Sequence, residues 1–300
     1  VTFVILQVLV INLILPAVFI YSLWRGSFES KLEWLIQLLA TTLLTVWVFL
    51  AGRWDWTGYY MRYAWLVFLA AAIYLSWRKT RSRPFRIAFD HKQKWSMGVC
   101  VVVLLVFGLY NVFVISSLTT QDDAIALSFP LKSGTYYVGQ GGNHVQMNYH
   151  QAYSPQEYAL DIVKINTLGL RAHGLYPKDL HQYEIYGDRL FSPCDGEVLE
   201  TRGDLPDLTP PDTDPDQPEG NYVALTCDDE EAVIYICHMQ QGSVAVAEGD
   251  VVREGQLLGT VGNSGNTSEP HLHIHAEKDG EGVPIRFGGR FLVRNNLMRK

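Results

Sequence analysis

Three stretches of this 300-residue chain, residues 1–24, 34–52 and 95–120, carry no charge. A bilayer span takes about 20 apolar residues, so each is long enough to cross one. A fourth stretch, residues 63–77, is short between Arg62 and Arg78. It lengthens backward through Trp56, Tyr59 and Tyr60 if Arg62 extends its charged head to the interface, where such aromatics belong. A soluble helical bundle would show polar faces at helical spacing, whereas these runs are apolar all round. Residues 1–120 are therefore expected to be an all-α membrane domain of about four transmembrane helices. Residues 1–24 lack a basic leader and are too long for a signal core, so they do not read as a cleavable signal. Because the chain opens on Val, its natural start is expected further upstream.

Charge divides the chain in two. Residues 1–120 hold eleven Lys and Arg against four acidic residues, a balance of +7, which leaves −14 for the rest of a chain whose total is −7. An acidic C-terminal part argues against a nucleic-acid partner, which needs clustered basic residues. Residues 78–94 carry seven basic residues against one Asp and should face the cytoplasm. Counting outward, the loop at Asp55 lies outside and the loop at Arg25 and Lys31 inside. The last span then delivers everything after Thr120 outside the cytoplasm, so the lipid bilayer is a partner and the cell membrane the expected location.

Residues 121–135 read as a linker. From residue 136 to 300 short alternating runs between turn residues predict a mostly-β domain. Candidate strands lie at 135–138, 158–164, 196–201, 221–227, 232–238, 256–261 and 271–276. Between the third and fourth, residues 203–220 carry five Asp and repeated Pro and read as an exposed acidic insert. Cys100 sits in an apolar span as a packing residue. Cys194, Cys227 and Cys237 lie where disulfides persist, and none has C-x-x-C spacing. Cys194 and Cys227, at strand edges on either side of the insert, are expected to be bonded and to hold the base of that loop. Alternation should turn Cys237 away from His238.

Pro270-His271-Leu272-His273-Ile274-His275 alternates strictly, so a strand would place Leu272 and Ile274 on one face and the three histidines on the other. Imidazole is the commonest zinc ligand, and a zinc hydrolase needs three protein ligands plus an open position. Further polar candidates stand at Asn148-Tyr149-His150, at Asp161 and at His238. Spacing alone does not divide ligands from catalytic groups.

The run from Ala247 through Gly259, then Val261-Gly262-Asn263-Ser264-Gly265 and Pro270-His271-Leu272-His273, resembles the core signature of lysostaphin/LytM-type zinc metallopeptidases, peptidase family M23. Ser192-Pro193-Cys194-Asp195-Gly196-Glu197-Val198 and Ile236-Cys237-His238-Met239 fit the same pattern in the same order. The resemblance covers roughly residues 136–277 and implies antiparallel sheets and one Zn2+ per chain. It implies His150, Asp161 and His273 as zinc ligands and His238 and His271 as catalytic residues. The family's first motif is His-x-x-x-Asp, yet Glu157 stands four residues before Asp161. His150, eleven residues before it, is preferred as the ligand, with Glu157 the alternative. His275 matches no family role and is expected beside the ligands or in the groove. Family substrates are the peptide bonds of cell-wall peptidoglycan, so peptidoglycan peptides are the expected partner.

Other readings are weaker. An inactive wall-binding or hydrolase-activating relative should have lost ligands. The turns at 248–259 resemble biotinyl and lipoyl carriers, but no carrier lysine hairpin is present. A transporter usually places charge inside its spans.

Overall fold

The computed structural model describes residues 2–120, 122–228 and 230–300, in two units, 2–115 and 116–300. The first is helical. Three of its helices are long and apolar enough to cross a membrane: Thr2–Arg25, Lys31–Ala51 and His91–Ser116. The fourth expected span is a helix, Met61–Thr80, but is not among those three. Arg62, Arg78 and Lys79 fall within it, and Arg62 is buried with its guanidinium 3.9 Å from the Phe49 ring. Lys31–Ala51 starts at Ser30, whose hydroxyl accepts the Glu33 N–H, supplying an otherwise orphaned helix N-terminus. A π-helical turn at Val10–Ile14 brings buried Asn12 to the Arg53 carbonyl, 2.9 Å away.

The second unit is mostly β. Its strands are β1 (Ile125–Leu127), β2 (Thr135–Gln140), β3 (Leu160–Ile165), β4 (Arg189–Phe191), β5 (Gly196–Arg202), β6 (Tyr222–Cys227) and β7 (Val233–Cys237). Then follow β8 (Val251–Val252), β9 (Leu257–Thr260), β10 (Leu272–Lys278), β11 (Glu281–Val283), β12 (Ile285–Phe287), β13 (Arg290–Phe291) and β14 (Leu297–Arg299). The main sheet runs β14-β2-β3-β10-β7-β6-β5-β8, with β11 on the end of β10. All its pairings are antiparallel. Leu272, Ile274, Leu160, Ile162, Ile234, Ile236, Val223 and Leu225 face one hydrophobic core. Each such side chain contributes roughly 1.5–3 kcal/mol on burial, which fixes the register that sends His273 and His275 to the other face.

Part of the segment expected to be linker belongs to this fold. Ile125–Leu127 pairs in parallel with Ile285–Phe287, and Phe129 and Leu131 are buried in the core. The expected disulfide joins Cys194 and Cys227, with Cα atoms 5.7 Å apart, but it does not hold the base of the insert. Gly196 pairs with Cys227 while Arg202 pairs with Tyr222, so the bond closes the end of the β5–β6 hairpin opposite the insert.

The insert is acidic and largely exposed, yet it is tied down. Asp207 Oδ1 accepts the Asn263 N–H (2.6 Å), Leu208 exchanges hydrogen bonds with Asn263, and the Asp214 N–H reaches the Gly265 carbonyl. Gly220 (φ 65°) and Gly265 (φ 82°) approach so closely that a Cβ on Gly220 would lie 2.2 Å from the Ser264 carbonyl oxygen. Only glycine fits that crossing.

Candidate metal centre

Asp161 on β3 and His273 on β10 are register partners, and Cys237 on β7 is the partner of His273 on its other side. Directly opposed residues of antiparallel strands share a face. Here that brings His273 Nδ1 to 3.0 Å from Asp161 Oδ1.

His150 reaches the same oxygen from the connection between β2 and β3, with Nε2 3.0 Å from Asp161 Oδ1. Two short 3₁₀ turns, Tyr149–Ala152 and Ser154–Gln156, take up the chain between them. Fully buried Asn148 pins this loop. Its Oδ1 accepts the His150 N–H, and its Nδ2 donates to the carbonyls of Gly142 (3.3 Å), Glu157 (3.1 Å) and Ala159 (3.0 Å). Glu157 is not brought to the centre. Burial, with the carboxylates of Asp122 and Glu281 nearby, pushes its carboxyl upward.

His238 follows the last residue of β7 and adopts φ 59°. A non-glycine residue in that region is strained by about 1–3 kcal/mol, and such strain clusters at functional sites. The left-handed turn breaks strand alternation, so Cys237 and His238 line the same cleft, contrary to the expectation that Cys237 turns away. His238 Nδ1 lies 3.0 Å from the Ser264 carbonyl. A carbonyl only accepts, so Nδ1 carries the proton and Nε2 is left available. Asn221 and Ser264 hold that carbonyl: the Asn221 N–H donates to Ser264 Oγ, which donates to the Met239 carbonyl.

His271 precedes β10 and is set in the same way, its Nδ1 2.9 Å from the Glu269 carbonyl. The Glu269 carboxylate is paired with buried Arg171, whose Nε donates at 2.8 Å. His271 Nε2 is 3.3 Å from Asp161 Oδ1, is buried, and makes no hydrogen bond.

Two groups could hold a metal ion, each with ligand atoms mutually within 4.8 Å: His150, Asp161 and His273, and His238, His271 and His273. Three imidazole nitrogens converging on one carboxylate oxygen, one of them an orphaned buried Nε2, fit a positive charge at their centre. Burial works against the Asp161 carboxylate, but neighbouring His150 and His271 outweigh it and hold the carboxyl well below its ordinary value. Burial pushes the His273 imidazole down to about 4. Burial, with His271 and His273 adjacent, also keeps His238 neutral near pH 7.

The cleft beside these groups has a volume of about 230 Å³ and is lined by Tyr149, His150, Tyr153, Gln156, Pro218, Glu219, Cys237, His238, Asn266 and His273. Several of these escape sequence reading. Tyr149, whose hydroxyl donates to Asp161 Oδ2 at 3.3 Å, stood among the polar candidates of Asn148-Tyr149-His150 but without a role, whereas Tyr153 and Gln156 were not singled out. Pro218 and Glu219 come from the insert, whose composition signalled exposure alone.

Sequence comparison matches residues 184–285 to peptidase family M23. No curated protein matches significantly. Among solved structures, a zinc-containing peptidase from Vibrio cholerae is 17% identical, with a TM-score of 0.32 over 54% of this chain and 39% of that one. Lysostaphin from Staphylococcus simulans is 20% identical, with a TM-score of 0.29 over 47% of this chain and 42% of that one. The catalytic domain of the prophage-encoded M23 protein EnpA from Enterococcus faecalis is 19% identical, with a TM-score of 0.28 over 42% and 72%. The chain thus spans about two fifths of the first two. His238, His271 and His273 fall inside the matched segment, whereas His150 and Asp161 precede it. Residues 184–285 of this chain form a peptidase family M23 domain.

Proposed function

We propose that the chain is a membrane-anchored zinc metalloendopeptidase that hydrolyses peptide bonds of cell-wall peptidoglycan, with its C-terminal domain outside the cytoplasm. The observation that carries this reading is the convergence of His150 Nε2, His273 Nδ1 and His271 Nε2 on Asp161 Oδ1. His150, Asp161 and His273 would hold one zinc ion, and bound zinc supplies a Lewis acid that polarises a peptide carbonyl and acidifies water. His238 and His271 each keep Nδ1 on a backbone carbonyl, so Nε2 is the atom that takes and returns protons. Those two atoms can accept a proton from the attacking water, donate to the tetrahedral oxygen, or protonate the leaving amine. The cleft beside them is partly enclosed by the insert, which limits water around a bound peptide. Three apolar helices support the anchor, and the basic residues at 78–94 support the orientation.

The test is incubation of the purified full chain, in detergent, with isolated wall material, followed by mass spectrometry of released peptides and metal analysis of the protein. Peptide release with one zinc per chain is expected. His273→Ala should lose the zinc, and His271→Ala should keep it and lose hydrolysis. A wild-type chain that holds zinc yet releases nothing would refute the activity.

A further inference from the structure

We propose that His275 is a positioning residue for the metal centre, fixing the ring of His273 in the tautomer that leaves Nδ1, the nitrogen facing the centre, free to bind a metal. The inference rests on the zinc site proposed above. His273 presents Nδ1 to the centre, 3.0 Å from Asp161 Oδ1, and its other nitrogen, Nε2, lies 3.1 Å from His275 Nδ1. A ligating nitrogen must be unprotonated, so a metal-bound neutral His273 carries its proton on Nε2. That proton then donates to His275 Nδ1, which requires His275 to be neutral with its own proton on Nε2.

The local fold holds these two rings side by side. Both are buried, and both lie on the site face of β10, two residues apart. His275 is register partner to Tyr235 on β7, and the two rings stack with centroids 4.8 Å apart and an interplanar angle of 7°. The stack fixes the plane of the His275 ring and thereby aims Nδ1 along the strand at His273. The ligand, its hydrogen-bond acceptor and the acceptor's support thus form a relay across β10 and β7. Metal-binding histidines usually donate their second N–H to a carboxylate, carbonyl or water, and this chain uses an imidazole.

The acceptor and the packing can be separated by substitution. His275→Phe keeps an aromatic ring on Tyr235 and removes the acceptor; His275→Asn places an amide oxygen where Nδ1 was and removes the ring. With the full chain in detergent, zinc affinity is measured by competition with a chromophoric chelator. His275→Phe should bind zinc about 10–100-fold more weakly, the usual loss when such a partner is removed. His275→Asn should stay closer to wild type than to the Phe variant. In the zinc-loaded wild type, imidazole ¹⁵N shifts should report His273 protonated at Nε2, a measurement that needs no variant to fold.

Wild-type affinity in His275→Phe, equal losses in both variants, or a His273 Nε2 without a proton would each overturn the assignment of His275 while leaving the metal centre standing. A wild-type chain that binds no zinc would overturn the centre and this inference together.

Discussion

Asn148 seats the loop that brings His150, eleven residues before Asp161, to the proposed metal centre, and Asn148→Ala tests that directly. The two N–H groups of the amide are shared among three loop carbonyls, and its oxygen accepts the His150 N–H, all within 3.0–3.3 Å. At about 1 kcal/mol net for each of the two N–H donors and the one acceptor bond, the substitution should cost roughly 3 kcal/mol. For a domain of this size that lowers the melting temperature by about 10 °C. Zinc affinity should fall as well, because the lost bonds include the one that seats His150. Asn148→Asp keeps the acceptor and loses both N–H donors, so it should be destabilised but retain more zinc than Asn148→Ala. Calorimetry of the full chain and chelator competition give the two readings. If Asn148→Ala binds zinc as wild type does while Glu157→Gln loses it, the loop does not deliver His150 and the ligand assignment fails.

Three other outcomes are expected. Replacing Cys227 with Ser removes a cross-link spanning 33 residues and should cost about 4 kcal/mol, read from unfolding of the chain with and without reductant; equal stability in both would refute it. In chelator, the fold should lose stability as pH falls from about 6.5 to about 4. The unfolded chain binds a proton at His273 throughout that window, whereas burial holds the folded imidazole near 4, a difference of the order of 3 kcal/mol. His271 is shifted the other way, because burial is outweighed by Asp161, so its contribution is complete below about 6.5 and cannot mask the effect; unfolding curves that stay flat over the window would contradict it. Finally, a reporter active only outside the cytoplasm should give signal when fused at Lys300 and none at Lys92, and the reverse would remove the orientation.

What the sequence disclosed followed the reach of its local rules. The histidines at 273 and 275 share a face because strand alternation is strictly local, and β10 keeps it. The same rule failed at His238, since nothing in Ile236-Cys237-His238 announces a left-handed turn. The strand at Ile125–Leu127 was illegible because its partner, Ile285–Phe287, lies far along the chain and neither segment alternates for long. His150 stood among the polar candidates, but its role as a ligand was reachable only through the family resemblance, which calls for an imidazole at that position. The bonds from Asn148 that bring it to Asp161 cross a loop without regular spacing. Met61–Thr80 reads as a helix from its pattern, yet burial of Arg62 against Phe49 depends on neighbouring helices.

The disulfide at the far end of the β5–β6 hairpin also acts as a length gauge. The hairpin contains a register irregularity between Val198 and Glu200, where one extra residue bends the strand and pins its register. With Cys194 and Cys227 bonded, the other end of the hairpin is pinned as well, so the distance from that bond to the tip is set by the count of paired residues. The tip carries Pro218 and Glu219 to the cleft, and the Glu219 carbonyl accepts the N–H of His238. The disulfide therefore measures out the wall of the cleft from one end of the hairpin, while the bonds from Asn263 and Gly265 hold it at the other.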